Sequence, residues 1–573
     1  MKRLERRDEM IDLVTPRGEN LPEKPWNVYP RPQLRRDSYV NLNGAWEFAV
    51  TKGLAPESYD RQILLPYCPE SALSGIKEHF SEGASLWYHK TLPLPEGFDS
   101  GRVLLHIGAA DQVCDVFVNG HLAGHHEGGY EAFSCDLTEA RGDILDITIR
   151  CRDDLKDRRF PYGKQVTQRG GMWYTPVSGI WQTVWLERVP ETYIKKLTIK
   201  NAGYGVTIDT GLALPGTVEV EGLGSFLLED GKVTITPEEP RLWSPDDPYL
   251  YFFTVKQGED AVESYFAIRC LEVKTVGKWP RLCLNGKPCF FHGLLDQGYW
   301  PESLLTAPAP ESYADDIIAM KALGFNMLRK HIKVEAKEFY YQCDKLGMVV
   351  FQDMVNNGDY QFFRDTALPT VGLQCLPDTH LHKDPGTRTF FLNAMEATVR
   401  QLENHPSVFY WTIFNEGWGQ FCADEVYHKL RALDDSRWID STSGWFRRKQ
   451  TDVDSRHVYF RKVVLKGGGK KPLVLSEFGG KTYRAENHIF NPEKVYGYGG
   501  CETLADLAKA MEQLYLEEVL PCIGNGLCAA VYTQVSDVED EINGLLTYDR
   551  KVCKLTPETM LPIARKLQEA VKG

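Results

Sequence analysis

The chain has 573 residues, too many for a single hydrophobic core, so about three to four domains are expected. Its 43% apolar and 25% charged content is that of a soluble globular protein, and its formal charge of -13 excludes the basic footprint of a nucleic-acid binder. No apolar run approaches the roughly 18 residues that would span a membrane, so no membrane partner is expected.

The N-terminus, MKRLERRDEMIDLV, is charged throughout and lacks the apolar stretch of a secretory signal, so the cytoplasm is the expected compartment. Residues 1 to about 25 read as a polar lead-in that packs loosely. From about Val40 to Val189 short strands alternate with turns, as in VNLNGAWEFAV (40–50) and CDVFVNGHLAG (114–124), with tight-turn dipeptides at Asn43-Gly44 and Asn119-Gly120. Residues 1–190 therefore predict a jelly-roll-like antiparallel β-sandwich. Residues 191–276 carry a second set of alternating strands, including GTVEVEG (216–222) and SYFAIRCLEV (264–273), and predict an immunoglobulin-like sandwich.

After Gly277 the rhythm changes. Eight apolar runs alternate with helical stretches: FFHGLLDQ (290–297), NMLRKHI (326–332), MVVFQDM (348–354), VFYWTIFNE (408–416), WIDSTSG (438–444), HVYF (457–460), LVLSEFG (473–479) and GLCAAVYTQVSD (526–537). Residues 277–573 are predicted to form a (β/α)8 barrel. The glycine run KGGGKK (466–471) leads into a strand, not a helix, and so is no phosphate-binding loop. The 14 cysteines include no C-x-x-C pair, and buried free thiols are the expectation.

Barrel enzymes carry their chemistry at the C-terminal ends of the strands. Two glutamates end very apolar runs there, Glu416 after VFYWTIFN and Glu477 after LVLS. A pair of carboxylates in such a frame suits glycoside cleavage, where one must be protonated and the other ionised. A buried ion pair with arginine or lysine is the competing reading for each. Tyr459 is placed to donate to a nearby carboxylate, though ordinary packing accounts for it equally well. His331 and His457 belong to no metal-binding motif, and no metal is expected.

The chain resembles glycoside hydrolase family 2, which holds β-galactosidases, β-glucuronidases and β-mannosidases. The resemblance runs from about Tyr29 to Lys551 and is carried by YPRPQLRRDSYVNLNGAWEFAV (29–50), WYTPVSGIWQTVWLE (173–187), GFNMLRKHIKVE (324–335), FNEGWGQ (414–420), VLSEFGG (474–480) and YTQVSDVEDEINGLLTYDRK (532–551). It implies a retaining mechanism without an organic cofactor, with Glu416 as general acid/base and Glu477 as nucleophile. It implies that Asn415 binds the sugar 2-hydroxyl and that Tyr459 supports Glu477. His331, Asp296, His457, Asp353 and Gln534 become candidate sugar contacts. Trp173 lies in a loop, 170–176, expected with the loop 128–130 to reach the barrel mouth from the sandwich. Homo-oligomers are common in the family, so self-association is a further expectation.

The Asn-x-Lys motif with which the family's β-glucuronidases clasp the sugar carboxylate is missing; the corresponding stretch reads EDEINGLLTYDRK. A β-galactosidase-like exo-β-glycosidase is therefore the leading expectation. Behind it stand a uronidase using Arg447, Arg448, Arg461 or Arg484, and a β-galactofuranosidase or α-L-arabinopyranosidase. A carbohydrate-binding assembly without catalysis is opposed by the presence of Glu416, Glu477 and Asn415. A barrel lyase or aldolase lacks all but one strand-end lysine, Lys330.

Overall fold

The computed structural model describes residues 12–80, 82–370, 373 and 377–572. The first eleven residues of the lead-in lie outside these. The rest of the lead-in is docked rather than loose. The Thr15 amide donates to Glu302 at 3.0 Å, Arg17 pairs with Asp315 at 2.6 Å, and Trp26 is buried with its indole donating to the Ala307 carbonyl.

The first sandwich packs a six-stranded sheet on a four-stranded one. Its strands bury alternate residues, as Ile144–Arg152 does, because only one face of each sheet meets the core. Phe48, Tyr88, Val116, Ile147 and Leu186 fill the space between. The second sandwich pairs a three-stranded with a four-stranded sheet around Val206, Val218, Val255 and Phe266. Leu271–Val276 does not belong to it. This strand pairs antiparallel with Trp279–Leu284, in a hairpin whose Arg281 donates to the carbonyls of Ile523 and Leu527. The turn near residue 277, where the sequence rhythm changes, lies inside that hairpin.

All eight expected barrel strands are present: β1 (Phe291–Asp296), β2 (Met327–Lys330), β3 (Val349–Asp353), β4 (Val408–Asn415), β5 (Trp438–Ser443), β6 (Asp454–Val458), β7 (Leu473–Phe478) and β8 (Leu527–Tyr532). They run parallel in the order β5-β4-β3-β2-β1-β8-β7-β6. Strand β6 begins three residues before the predicted run, so His457 is inside the strand and Tyr459 follows it. The covering helices include Glu311–Ala322, Lys337–Leu346, Pro385–Leu402, Ala423–Leu433 and Leu504–Gln513. Asp384 caps the third of these by accepting from the Thr387 amide at 2.6 Å, with Pro385 at the first helical position.

One seam departs from a regular barrel. Strands β5 and β6 are the two edges of the eight-stranded ladder and share no backbone pairing. Side chains close the gap: Ser443 Oγ lies 3.0 Å from His457 Nε2, and the Gly444 amide donates to Ser455 Oγ at 3.3 Å. Neither the β5–β6 connection (444–453) nor the β6–β7 connection (459–472) contains a helix.

No helix among the described residues is long and apolar enough to cross a membrane. The 13 described cysteines are all free thiols; Cys375 lies outside the described residues.

Candidate active site

Strand β2 supplies the centre of the site. The Arg329 side chain is 1% exposed, a position that only full pairing makes affordable. Its Nε donates to Asp353 at 2.9 Å, one terminal nitrogen to Glu477 Oε1 and the Ser476 carbonyl, each at 3.0 Å, and the other to Asn415 Oδ1 at 2.9 Å. Burial opposes its charge, but Asp353 and Glu477 more than offset that and hold the guanidinium above its ordinary pKa. Arg329 is a functional residue that the sequence gives no sign of, because its partners come from three other strands.

Glu477 is the best-supported carboxylate. Besides Arg329, the Tyr459 hydroxyl donates to its Oε2 at 2.8 Å, and His457 Nε2 lies 3.6 Å from Oε1. Burial alone would push its carboxyl up; neighbouring His457 and Arg329, with the Tyr459 bond, outweigh burial and hold it below the usual range. Glu477 is thereby kept ionised. Tyr459 also contacts Thr533 Oγ1 at 2.8 Å and stacks on Tyr498 with ring centroids 4.3 Å apart. Burial, reinforced by the Glu477 charge, keeps its phenol protonated and a donor.

Glu416 follows β4 directly. Its backbone is left-handed at φ 53°, unusual for a residue other than glycine, and its amide donates to the Ser443 carbonyl at 2.9 Å. That turn brings its carboxylate over the barrel mouth, where Oε1 lies 2.8 Å from His457 Nδ1. Its side chain is 21% exposed against 6% for Glu477. One oxygen from each glutamate and one His457 nitrogen lie within 4.8 Å of one another. This is the one cluster among the described residues with metal-ligand spacing; a cation there would face Arg329, already bound to Glu477.

A cavity of about 340 Å³ opens between the two glutamates. Asn415, His331, His457, Tyr459, Gln297 and Thr533 line it, with Trp445, Tyr496 and Tyr498 as aromatic walls. The sandwich contributes Lys164 and Met172. His331 is oriented by its Nδ1 contact to Asp353 at 2.7 Å, and burial pulls its pKa down, favouring the neutral ring. Glu541, from the segment after β8, is a third carboxylate on the wall; it accepts from the Tyr174 hydroxyl at 2.6 Å and the Asn543 amide at 3.0 Å.

Four candidate residues stand away from this cavity. Asp296 is turned to Lys330, which donates to it at 2.7 Å, and its neighbour Gln297 reaches the cavity instead. Asp353 is consumed by Arg329 and His331. The Gln534 amide, fully buried, donates to Asn543 at 2.9 Å. Trp173 packs edge-on against Tyr360 and Trp418, with the Lys164 ammonium 5.6 Å from its ring centroid. Its loop does reach the barrel, since Thr175 and Tyr174 bond Glu539 and Glu541. Tyr130, from the other sandwich loop, accepts from Gln165 at 3.0 Å and does not line the cavity. Of the four arginines considered for a carboxylate clamp, Arg461 alone lines the cavity. Arg447 pairs with Asp454, Arg448 with Asp378, and Arg484 donates to the Pro492 carbonyl.

Residues 276–572, more than half of the chain, match the family model described as Glycosyl hydrolases family 2, TIM barrel domain. The chain belongs to glycoside hydrolase family 2. It is 25% identical over 378 residues to a β-galactosidase of Thermoanaerobacter pseudethanolicus, a match covering 60% of this chain but only 47% of that relative's length. It is 26% identical over 487 residues to a β-glucuronidase of Chlorocebus aethiops, covering 72% of this chain and 69% of the relative. Among solved structures, a β-glucuronidase of an uncultured Clostridium species superposes with a TM-score of 0.72 at 16% identity, covering 94% of this chain and 99% of that one. That likeness supports the family 2 fold of sandwiches followed by a barrel.

Proposed function

We propose that this glycoside hydrolase is a retaining exo-β-glycosidase, with Glu477 as nucleophile and Glu416 as general acid/base. The observation that carries the proposal is the separation of the two carboxylates, with one oxygen of each within 4.8 Å of the other. Retaining enzymes hold them about 5–5.5 Å apart, whereas inverting ones leave about 6.5–9.5 Å for a water. Their surroundings divide the labour. Glu477 is held ionised by Arg329 and Tyr459, while Glu416 stands at the open side, where a leaving oxygen would depart. Asn415, fixed by Arg329, is suited to the sugar 2-hydroxyl, a bond that strengthens in the transition state.

Two glycones have specific support. A uronide is favoured by Lys164 and Arg461, two cations on the cavity wall, and by relatives named β-glucuronidase. These outweigh the missing Asn-x-Lys motif and make the uronide the better supported reading. A neutral β-galactoside is favoured by the Glu541 carboxylate on the same wall, which would repel a sugar carboxylate, and by the relative named β-galactosidase.

Initial rates on p-nitrophenyl β-glucuronide, β-galacturonide, β-galactoside, β-mannoside, β-galactofuranoside and α-L-arabinopyranoside test this, with the product anomer followed by NMR. First-formed product of inverted configuration would refute the retaining mechanism. A dominant uronide rate supports the first glycone and a dominant galactoside rate the second.

A further inference from the structure

The helix-free seam of the barrel carries a charge opposite to that of the whole chain. Between residues 447 and 471 there are nine lysines and arginines against two aspartates, in a protein whose formal charge is -13. Arg461, Lys462, Lys466 and Lys470 are exposed, and no ion pair engages them among the described residues. A solvated basic face would need nothing more. Here, however, the patch also borders a cavity of about 290 Å³, lined by Lys470 and Lys471, by Arg447 and Arg448, which pair with Asp454 and Asp378, and by Asp440, Thr442 and Ser455.

The floor of that cavity is unusual. It is formed by Asp440 and Thr442 of β5 and Ser455 of β6, the two strands that share no backbone pairing. Asp440 is 1% exposed beside Ser455 and Tyr410, yet its Oδ2 has no partner at hydrogen-bond geometry among the described residues. A buried, unpaired carboxylate oxygen is an acceptor waiting for a donor. The cavity thus offers the ammonium groups of Lys470 and Lys471 for an anionic group and an acceptor for a hydroxyl. Both features occur together on an acidic sugar.

The patch is continuous with the catalytic cavity. Asp454 binds Arg447 on the seam side at 3.2 Å and Arg456 at 2.8 Å, and Arg456 lines the catalytic cavity, as does Arg461. We infer that the β5–β7 flank is a second carbohydrate-binding site for an acidic, uronate- or sulfate-bearing glycan chain, whose end is presented to Glu416 and Glu477. The presentation rests on the glycosidase reading above; binding to the flank does not.

Affinity electrophoresis of the full chain in gels containing polygalacturonate tests the binding separately from turnover. The wild-type protein is expected to be retarded by polygalacturonate and not by neutral dextran, with the effect fading as salt is raised. In the triple variant Arg447→Glu/Lys466→Glu/Lys470→Glu, with its melting midpoint confirming a folded protein, affinity should fall by about tenfold or more. The single variant Asp440→Asn should weaken binding of galacturonate oligomers while leaving retardation by dextran sulfate in place, because only the sugar hydroxyl contact is lost. Unchanged affinity in the triple variant, no retardation of the wild type, or retardation by duplex DNA alone would each overturn the inference. Absence of turnover on aryl glycosides would instead count against the catalytic assignment.

Discussion

The hydroxyl of Tyr459 donates to Oε2 of Glu477 at 2.8 Å. This bond exists only because β6 ends at Val458 and releases the next residue across the barrel mouth toward β7. A hydrogen bond to a charged group contributes about 1.5–3 kcal/mol. Tyr459→Phe is therefore expected to lower kcat/KM by about ten- to hundredfold, at about 1.4 kcal/mol per factor of ten. The pH profile gives a sharper readout. Glu477 must be ionised to attack, so activity is lost as pH falls through its pKa, which is held below the usual range. Removing one stabilising donor raises that pKa, and the acidic limb should move to higher pH. A rate loss with an unmoved limb would make Tyr459 a packing residue.

Glu477→Ala should abolish turnover of aryl glycosides while leaving the fold intact, since Arg329 keeps Asp353, Asn415 and the Ser476 carbonyl as partners. Azide can enter the vacated space and attack the anomeric carbon from the nucleophile's side. The product would then be the glycosyl azide of opposite anomeric configuration, identified by NMR. Full activity without azide would remove Glu477 from the nucleophile's role.

Glu416→Gln separates protonation from the rest of the reaction. A p-nitrophenolate leaves without a proton, but an alkoxide does not. General acid catalysis is worth about 10²–10⁴-fold, so hydrolysis of alkyl glycosides should fall by about that factor, with a much smaller loss on activated aryl glycosides. Equal losses on both would point to binding or folding instead.

Asp353 ties the site to the stability of the barrel. It accepts from Arg329 at 2.9 Å and contacts His331 at 2.7 Å. Burial would raise its carboxyl, but Arg329 and His331 outweigh burial and bring it to about 2. Its stabilisation is thus fully present above the ordinary aspartate value near ~3.9 and lost as pH falls toward the folded value. Asp353→Asn leaves Arg329 buried with one counter-charge fewer, at a cost of about 3–5 kcal/mol. The urea midpoint should fall accordingly, and stability should depend less on pH on the acid side than in the wild type. An unchanged midpoint would mean that Glu477 alone satisfies Arg329.

The eight strands and both glutamates were legible because each depends on local pattern. An apolar run ending in an acid is visible without knowing its neighbours. Partnership across strands is not. Asp296 and Asp353 share the strand-end position of Glu416 and Glu477, yet Lys330 and Arg329, both from β2, neutralise them, and no spacing in the chain records that pairing. The seam was hidden for a related reason. Strand β6 reads Asp-Ser-Arg-His-Val, with one apolar residue, so the apolar pattern marked only its end, in HVYF, and missed its first three residues and the unpaired edge beside β5. The sandwich's contribution was half visible: the loop carrying Trp173 does meet the barrel, but it is Met172 of that loop and Lys164, from the segment before it, that line the cavity.

Lys164 therefore offers the most direct test of the glycone. It extends from the sandwich into the cavity beside the Trp173 ring, on the same wall as Glu541. If the sugar carries a carboxylate, the ammonium supplies a charge-assisted hydrogen bond, and Lys164→Met should cut kcat/KM on the β-uronide by about ten- to hundredfold. Activity on the matched neutral β-galactoside should stay within about threefold, since a hydroxymethyl group gains less from a cation. The ratio of the two rates cancels any general effect on folding. A parallel fall on both sugars would make Lys164 a support for Trp173 and the loop. No change on the uronide, together with a selective loss on the galactoside in Glu541→Gln, would place the glycone's recognition on the carboxylate instead.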